Sequence, residues 1–282
     1  MVTIRCTVYN HEPYIRECLE GFVMQKTNFR FEAIVHDDAS TDGSAAIIRE
    51  YAEKYPDIIK PIYQTENQYS KRDGSLRRIL NEHMHGKYIA MCEGDDYWID
   101  PLKLQKQVDF LEANSNVSLC IHGNYINENG RLNISKRNNY KEYLSVGDII
   151  LKGSNVATNS FVYRSQYVVD RPEWMNKFKV GDYPLILLLG TKGTVRFFNE
   201  PMSVYRISST GSWSEKMKNS STLRKENSNA TIKGLLVFDK YYDRKYTLWV
   251  HYKLFTVLLK QFLDYFSLMK FPRLLYHKVK GL

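Results

Sequence analysis

The chain has 282 residues, 43% of them apolar and 13% aromatic, enough to bury a full core, and neither a repeat nor a low-complexity tract interrupts it. Its four cysteines stand singly in apolar segments, without the paired spacing of zinc or redox motifs. The longest nearly continuous apolar run, Tyr183 to Leu189, is far short of the roughly 20 residues that span a bilayer. Of the net charge of +9, six units fall between Tyr241 and Leu282, where eight Lys/Arg face two Asp. That placement argues against a nucleic-acid surface and suits an anionic membrane face or a lipid-phosphate partner. Met1 to Arg5 enter a strand pattern directly, without a secretory leader, so a cytoplasmic location is expected.

Short β-like runs alternate with amphipathic helical patterns, which predicts an α/β fold with a mostly parallel central sheet flanked by helices. Thr3 to Val8 reads as the first strand, and Ile15, Cys18, Leu19, Phe22 and Val23 follow at helical spacing. Phe31 to His36 is the second strand; residues 37–44 form a turn that caps a helix carrying Ile47, Ile48, Tyr51 and Ala52. Ile59 to Tyr63 is the third strand. A polar loop over 64–75 leads into a helix ending near His85-Gly86, and Tyr88 to Cys92 is a buried strand delivering Glu93-Gly94-Asp95-Asp96. A helix over 102–113 follows. Beyond Val117 the pattern is less regular, with β-like runs at Leu119 to His122, Ser160 to Tyr163, Thr194 to Asn199 and Met202 to Tyr205, and a buried helix starting at Pro184. Ser208 to Asn229 is polar enough for a mobile lid. Leu248, Tyr252, Phe255, Leu259, Phe262 and Phe266 then mark one face of a terminal helix. The expected division is an α/β unit over 1–215, with a nucleotide-handling half (1–125) and a less regular second half (126–215), followed by a mobile loop and a helical, basic-aromatic extension over 216–282.

Expelling a nucleoside diphosphate from a sugar builds negative charge that a divalent cation neutralises. Hard cations take carboxylate oxygens, and ligands of open α/β sheets bind at the carboxyl ends of parallel strands. Glu93, Asp95 and Asp96 stand at such an end. An acidic loop can equally cap the next helix, and Asp37 and Asp38 can equally be turn and cap residues. The chemical reading gains because both acidic groups end strands at one sheet edge. Tyr9 and Asn10 close the first strand, where an aromatic face can stack on a base or simply join the core. Of Lys71, Arg72, Arg77 and Arg78, Lys71 ranks first as a diphosphate contact; solvated loop residues are the alternative.

Three motifs occur in order: Val2-Thr3-Ile4 leading to Tyr9-Asn10, then His36-Asp37-Asp38-Ala39-Ser40-Thr41-Asp42-Gly43-Ser44, then Gly86-Lys87-Tyr88-Ile89-Ala90 running into Cys92-Glu93-Gly94-Asp95-Asp96-Tyr97-Trp98. On these the chain resembles the inverting family 2 glycosyltransferases of the GT-A fold, especially bacterial members that build surface polysaccharides, over roughly its first 125 residues. The resemblance implies that Thr7, Tyr9 and Asp38 hold the uracil of a UDP-sugar, that Asp95 binds Mn2+ or Mg2+, and that Asp96 supports that shell. Glu93 stands where the family usually has Asp, leaving metal ligation and a ribose or water-mediated contact both open. Val180-Gly181-Asp182-Tyr183-Pro184-Leu185 resembles the acidic segment with the general base, implying that role for Asp182; the alternative is a cap for the helix at Pro184. Val204-Tyr205-Arg206-Ile207, with Gly211 and Trp213, also resembles the family, but Ser208 replaces a frequent histidine and so removes a third metal contact, which magnesium tolerates.

The implied reaction moves a hexose or N-acetylhexosamine from a UDP-sugar to a glycan or lipid-linked acceptor, at the inner face of the cell membrane if the terminal helix attaches there. Packing of that helix on the catalytic unit is the alternative. Two other classes compete: a nucleotide-sugar-binding protein without transfer activity, and a nucleotidyltransferase. The second would carry a glycine- and basic-rich loop after the first strand, unlike Tyr9-Asn10-His11-Glu12-Pro13.

Overall fold

A computed structural model describes residues 1–135, 140–152, 156–207 and 212–268, with side chains as far as Leu263. The first part runs β1 (Val2–Val8), α1 (Ile15–Val23), β2 (Phe31–Asp37), α2 (Ser44–Lys54), β3 (Ile59–Tyr63), α3 (Gln68–Lys71), α4 (Ser75–His83), β4 (Tyr88–Met91), β5 (Tyr97–Trp98) and α5 (Lys103–Ala113). This is the expected succession, with one short helix added inside the polar loop and the two-residue strand β5 added after the acidic loop. Asn67 caps that helix by accepting from the Ser70 N–H at 2.8 Å. The second part runs β6 (Val117–Glu128), β7 (Arg131–Ile134), β8 (Tyr143–Leu144), α6 (Val146–Lys152), β9 (Val162–Arg164), α7 (Asp182–Lys192), β10 (Thr194–Arg206), α8 (Trp213–Asn219), α9 (Ser221–Tyr241) and α10 (Thr247–Leu268).

One sheet orders its main strands β3-β2-β1-β4-β9-β6-β10-β5, with β7 on β6 and β8 on β10. Strands β3, β2, β1 and β4 are parallel, as expected. Beyond them the sheet is mixed, because β9 runs antiparallel to both β4 and β6. Arg164, closing β9, fixes that direction: it donates to the carbonyls of Val117 (3.0 Å), Asn114 (3.2 Å) and Leu111, pinning the end of β9 to the start of β6. The two β-like runs expected at 194–199 and 202–205 are one strand, β10, whose register against β6 shifts around Pro201, a residue with no N–H to give the ladder.

The sheet separates two cores. Val2, Ile4, Cys6 and Val8 alternate onto the face covered by Ile15, Cys18, Leu19 and Phe22 of α1 and by Leu104 and Leu111 of α5. On the other face Ile89, Met91, Leu119 and Ile121 meet Leu185, Leu187, Leu188 and Leu189 of α7, a helix apolar all round because it is buried all round. The four cysteines are buried and unbridged.

The reading of 208–229 as a mobile polar loop is corrected. Residues 208–211, including Ser208 and Gly211, lie outside the described residues, and from Ser212 onward the chain is helical. The serines that suggested a loop are caps: Ser212 accepts from the Glu215 N–H and Ser220 from the Leu223 N–H. In α10, Val250 is buried and Lys253 donates to the Leu151 carbonyl at 2.8 Å, so one side packs on α6. The stripe read from the sequence faces outward instead: Leu248 is 75% exposed, Tyr252 60% and Phe255 62%, with Leu259 and Phe262 exposed beside them.

Lys103, on α5, is wholly buried, its Nζ 2.8 Å from Gln107 Oε1 and 4.0 Å from the Trp98 ring centre. Burial lowers its pKa from 10.5 to about 7. Between those values the unfolded chain binds the proton that the folded chain releases, so this group makes stability rise with pH across that window. Lys103→Met is expected to stabilise the fold by about 2 kcal/mol at neutral pH and to abolish the added gain toward alkaline pH. Urea unfolding of both proteins near pH 7 and pH 10 measures it; parallel pH profiles would contradict the assignment.

Candidate active site

The ends of β1 and β4 create the site. Arg5 pairs with Met91 in parallel register, and the ladder continues through the Cys92 N–H to the Arg5 carbonyl (3.1 Å) and the Gly94 N–H to the Thr7 carbonyl (3.0 Å). Glu93 is thereby set beside Thr7, whose hydroxyl donates to Glu93 Oε2. Gly94 has no substitute: a Cβ there would lie 2.8 Å from His11 Nδ1 and 2.9 Å from Val8 Cγ2.

Burial pushes the Glu93 carboxyl up to about 7, with Asp95 and Asp182 adding to the rise and Arg5 and the Thr7 backbone opposing it. The influence of Asp182 places the first residue of α7, from the second half, within electrostatic reach of the acidic loop. Burial raises the Asp182 pKa as well, while the Tyr183 N–H, 2.7 Å from Asp182 Oδ1, restrains the rise.

Arg206, at the end of β10, organises the rest of the loop. Its backbone N–H donates to Asp96 Oδ1 at 2.8 Å, its Nη1 donates to the Asp95 carbonyl at 2.5 Å, and its Nη2 pairs with Glu17 of α1. Asp96 Oδ2 accepts from Asn159 Nδ2 at 3.1 Å, and burial together with Asp95 pushes its pKa well above the usual carboxylate range. Asn159 also donates to the Val204 carbonyl (3.0 Å), accepts from Ser203 Oγ (2.8 Å) and offers its carbonyl to Trp98 Nε1 (2.8 Å). Asp96, expected at the nucleotide sugar, thus spends both oxygens on the interior. Asn159→Ala removes the partner of Asp96 Oδ2 and that of the buried Ser203 hydroxyl and is expected to cost about 3 kcal/mol. Denaturant unfolding reads this out, and a loss below about 1 kcal/mol would discount Asn159 as the anchor of Asp96.

The remaining expected residues occupy the same carboxyl edge with different freedom. Tyr9 is 46% exposed at the mouth. Asp38 is buried, and its two oxygens accept from the Gln68 and Tyr69 N–H groups at 2.7 and 3.0 Å, so it caps α3. Lys71 is paired with Glu66 at 2.9 Å. Arg206, Glu17 and Asn159 escaped assignment in the sequence because their roles depend on contacts across more than forty residues. Arg5 did leave a signal, a charge inside the strand Val2–Val8.

The parallel β3-β2-β1-β4 unit continued by a mixed second half, with an acidic loop and an exposed aromatic at its carboxyl edge and the half-buried Asp182 from the second half, matches a GT-A fold. The family model described as Glycosyl transferase family 2 matches residues 3–175, and the chain belongs to that family. It is 39% identical over 207 residues to the uncharacterized protein Rv1520 of Mycobacterium tuberculosis, a match that covers 73% of this chain and 58% of that protein. The chain therefore spans less than two thirds of that relative's length. Among solved structures, Staphylococcus aureus TarS 1-349 in complex with UDP-GlcNAc aligns with a TM-score of 0.61 at 19% identity, over 83% of this chain and 66% of that one. The mannosyltransferase PcManGT from Pyrobaculum calidifontis, in complex with GDP-Man and Mn2+, aligns with a TM-score of 0.57 at 16% identity, over 99% and 79%.

Proposed function

We propose that the chain is an inverting glycosyltransferase that moves a hexose or N-acetylhexosamine from a UDP-sugar to a glycan or lipid-linked acceptor of a surface polysaccharide. The observation that carries this reading is that Asp95, on the same loop, and Asp182, the half-buried first residue of α7 in the other half, both lie within electrostatic reach of Glu93. Family membership supports transfer, and the UDP-GlcNAc complex of TarS favours a uridine donor.

In this reading Tyr9 stacks on uracil, Thr7 and Asp38 border it, Lys71 reaches the diphosphate, and Glu93 meets the ribose side. No group of three His, Cys, Asp or Glu side chains that could hold a metal forms among the described residues. The site offers Asp95, with Glu93 nearby, which fits Mn2+ or Mg2+ held jointly with diphosphate oxygens and waters. When bound, the cation offsets charge building on the leaving diphosphate. Asp182 accepts the proton of the acceptor hydroxyl as its oxygen bonds to the anomeric carbon and the bond from that carbon to the diphosphate breaks. A raised pKa brings Asp182 closer to neutrality, where a carboxylate base is more effective. Asp96 holds the loop from below through Arg206 and Asn159.

A thermal-shift panel of UDP-, GDP-, CDP- and TDP-sugars, each with and without Mn2+, tests the reading. UDP-sugars with metal should give the largest shift; equal shifts for all four would refute the uridine assignment.

The outward stripe of α10 together with the basic end of the chain supports peripheral attachment to an anionic membrane at the cytoplasmic face. None of the helices is long and apolar enough to cross a membrane, among the described residues. Vesicles containing anionic lipid should float the full chain but not a chain ending at Asp239, and equal flotation would remove the membrane from the account.

A further inference from the structure

We propose that Arg5, Arg77 and Arg171 form a subsite for a phosphate group of the acceptor, beside Asp182 and separate from the position of the donor diphosphate. The proposal rests on the transferase reading and identifies the acceptor's chemistry.

Arg5 lies on β1 two residues before Thr7, on the same side of the sheet, with Met91 and Ile34 as its register neighbours. His36, opposite Thr7, shares that side; it is wholly buried, and neither ring nitrogen has a hydrogen-bond partner. The buried Tyr163 of β9 lies within electrostatic reach of both Arg5 and Arg171. Arg77, an exposed residue, comes from α4, and the half-buried Arg171 from the segment between β9 and α7. The Nε atoms of Arg5 and Arg171 are buried without partners.

Arg5 and Arg77 both lie within electrostatic reach of Arg171. Burial first, then the charges of Arg77 and Arg5, lower the Arg171 pKa to about 10. The arginines that form ion pairs among the described residues are Arg16, Arg78, Arg196 and Arg206. Glu93 senses Arg5 but makes no ion pair with it, and its Oε2 is taken by Thr7. Guanidiniums gathered without a carboxylate repel one another and leave buried donors unsatisfied. A phosphate relieves both costs, since its oxygens accept from several guanidinium forks at once.

Position selects the acceptor rather than the donor. Arg171 belongs to the segment that leads into Asp182, and Arg5 and Asp182 both act on Glu93. The donor diphosphate is assigned to Asp95, whose carbonyl is tied through Arg206 toward Glu17 of α1. An acceptor hydroxyl presented to Asp182 would then lie a few bonds from a phosphate, as in a lipid-linked sugar phosphate or a phosphodiester-linked glycan.

The test is calorimetric titration of inorganic phosphate into the full chain, alone and saturated with UDP and Mg2+. Phosphate should bind both forms with the same affinity. Arg77→Gln and Arg171→Gln should each weaken it about tenfold while UDP binding persists, Arg171→Lys should lose less, and Arg78→Gln should change nothing. Retained UDP binding shows that the variants are folded. Loss of phosphate binding on UDP saturation would assign the cluster to the donor diphosphate and overturn the proposal, as would phosphate affinity indifferent to Arg77 and Arg171. Failure of UDP to bind at all would instead overturn the uridine-donor reading, and phosphate titration of the unliganded chain would still decide on the cluster.

Discussion

Asp182→Asn is expected to lower kcat by about 10³-fold while leaving the affinity for UDP within about twofold of wild type. The amide keeps the shape of the side chain and can still accept from the Tyr183 N–H, so the start of α7 should not move. What it loses is the ability to take a proton from the acceptor. Since burial raises the pKa of Asp182, the wild-type rate should fall as acidification protonates the base, from a higher pH than an exposed aspartate would give. Steady-state kinetics across pH, with UDP affinity measured in parallel, provides the check. Near-normal turnover would return Asp182 to the simpler role of helix start.

Asp95→Asn is expected to reduce kcat/KM by about 10³-fold or more and to remove the enhancement of UDP binding by Mn2+. Asp95 is the acid best able to face a cation, because Asp96 commits both oxygens to Arg206 and Asn159. Glu93→Gln should cost far less, about tenfold, since Glu93 Oε2 is already taken by the Thr7 hydroxyl and an amide oxygen can accept the same bond. The order of the two effects is the informative result. A larger loss at Glu93 than at Asp95 would transfer the metal-binding role to Glu93. Titration of UDP into each variant, with and without Mn2+, measures it.

The first half was legible because its signals are local. β1, β2, β3 and β4 each announce themselves by apolar runs bounded by polar turns, and Ile59–Tyr63 matches the expected strand. Glu93 and Asp95 were legible as strand-end acids for the same reason. The second half was harder because its structure is decided at long range. β9 is three residues long and takes its direction from Arg164, and β10 hides a register shift at Pro201 within what reads as two strands. Serines at 212 and 220 have loop composition and cap geometry at once, and composition alone does not separate the two. Periodicity found the stripe on α10 but could not tell whether it faced in or out, since a helix pattern carries no information about what covers it.

The grip of Arg206 on Asp96, across 110 residues, also has a consequence for synthesis. As the chain leaves the ribosome, β1 to β4 emerge early with their parallel pairings available, yet β5 has no strand partner until β10 appears. The acidic loop between β4 and β5 therefore stays untethered on one side while some hundred further residues are made. A nascent chain halted near residue 125 can form β1 to β4 without the contact that holds the Asp95 carbonyl. On the proposed function, the donor site is completed only with the strand that carries Val204 and Arg206.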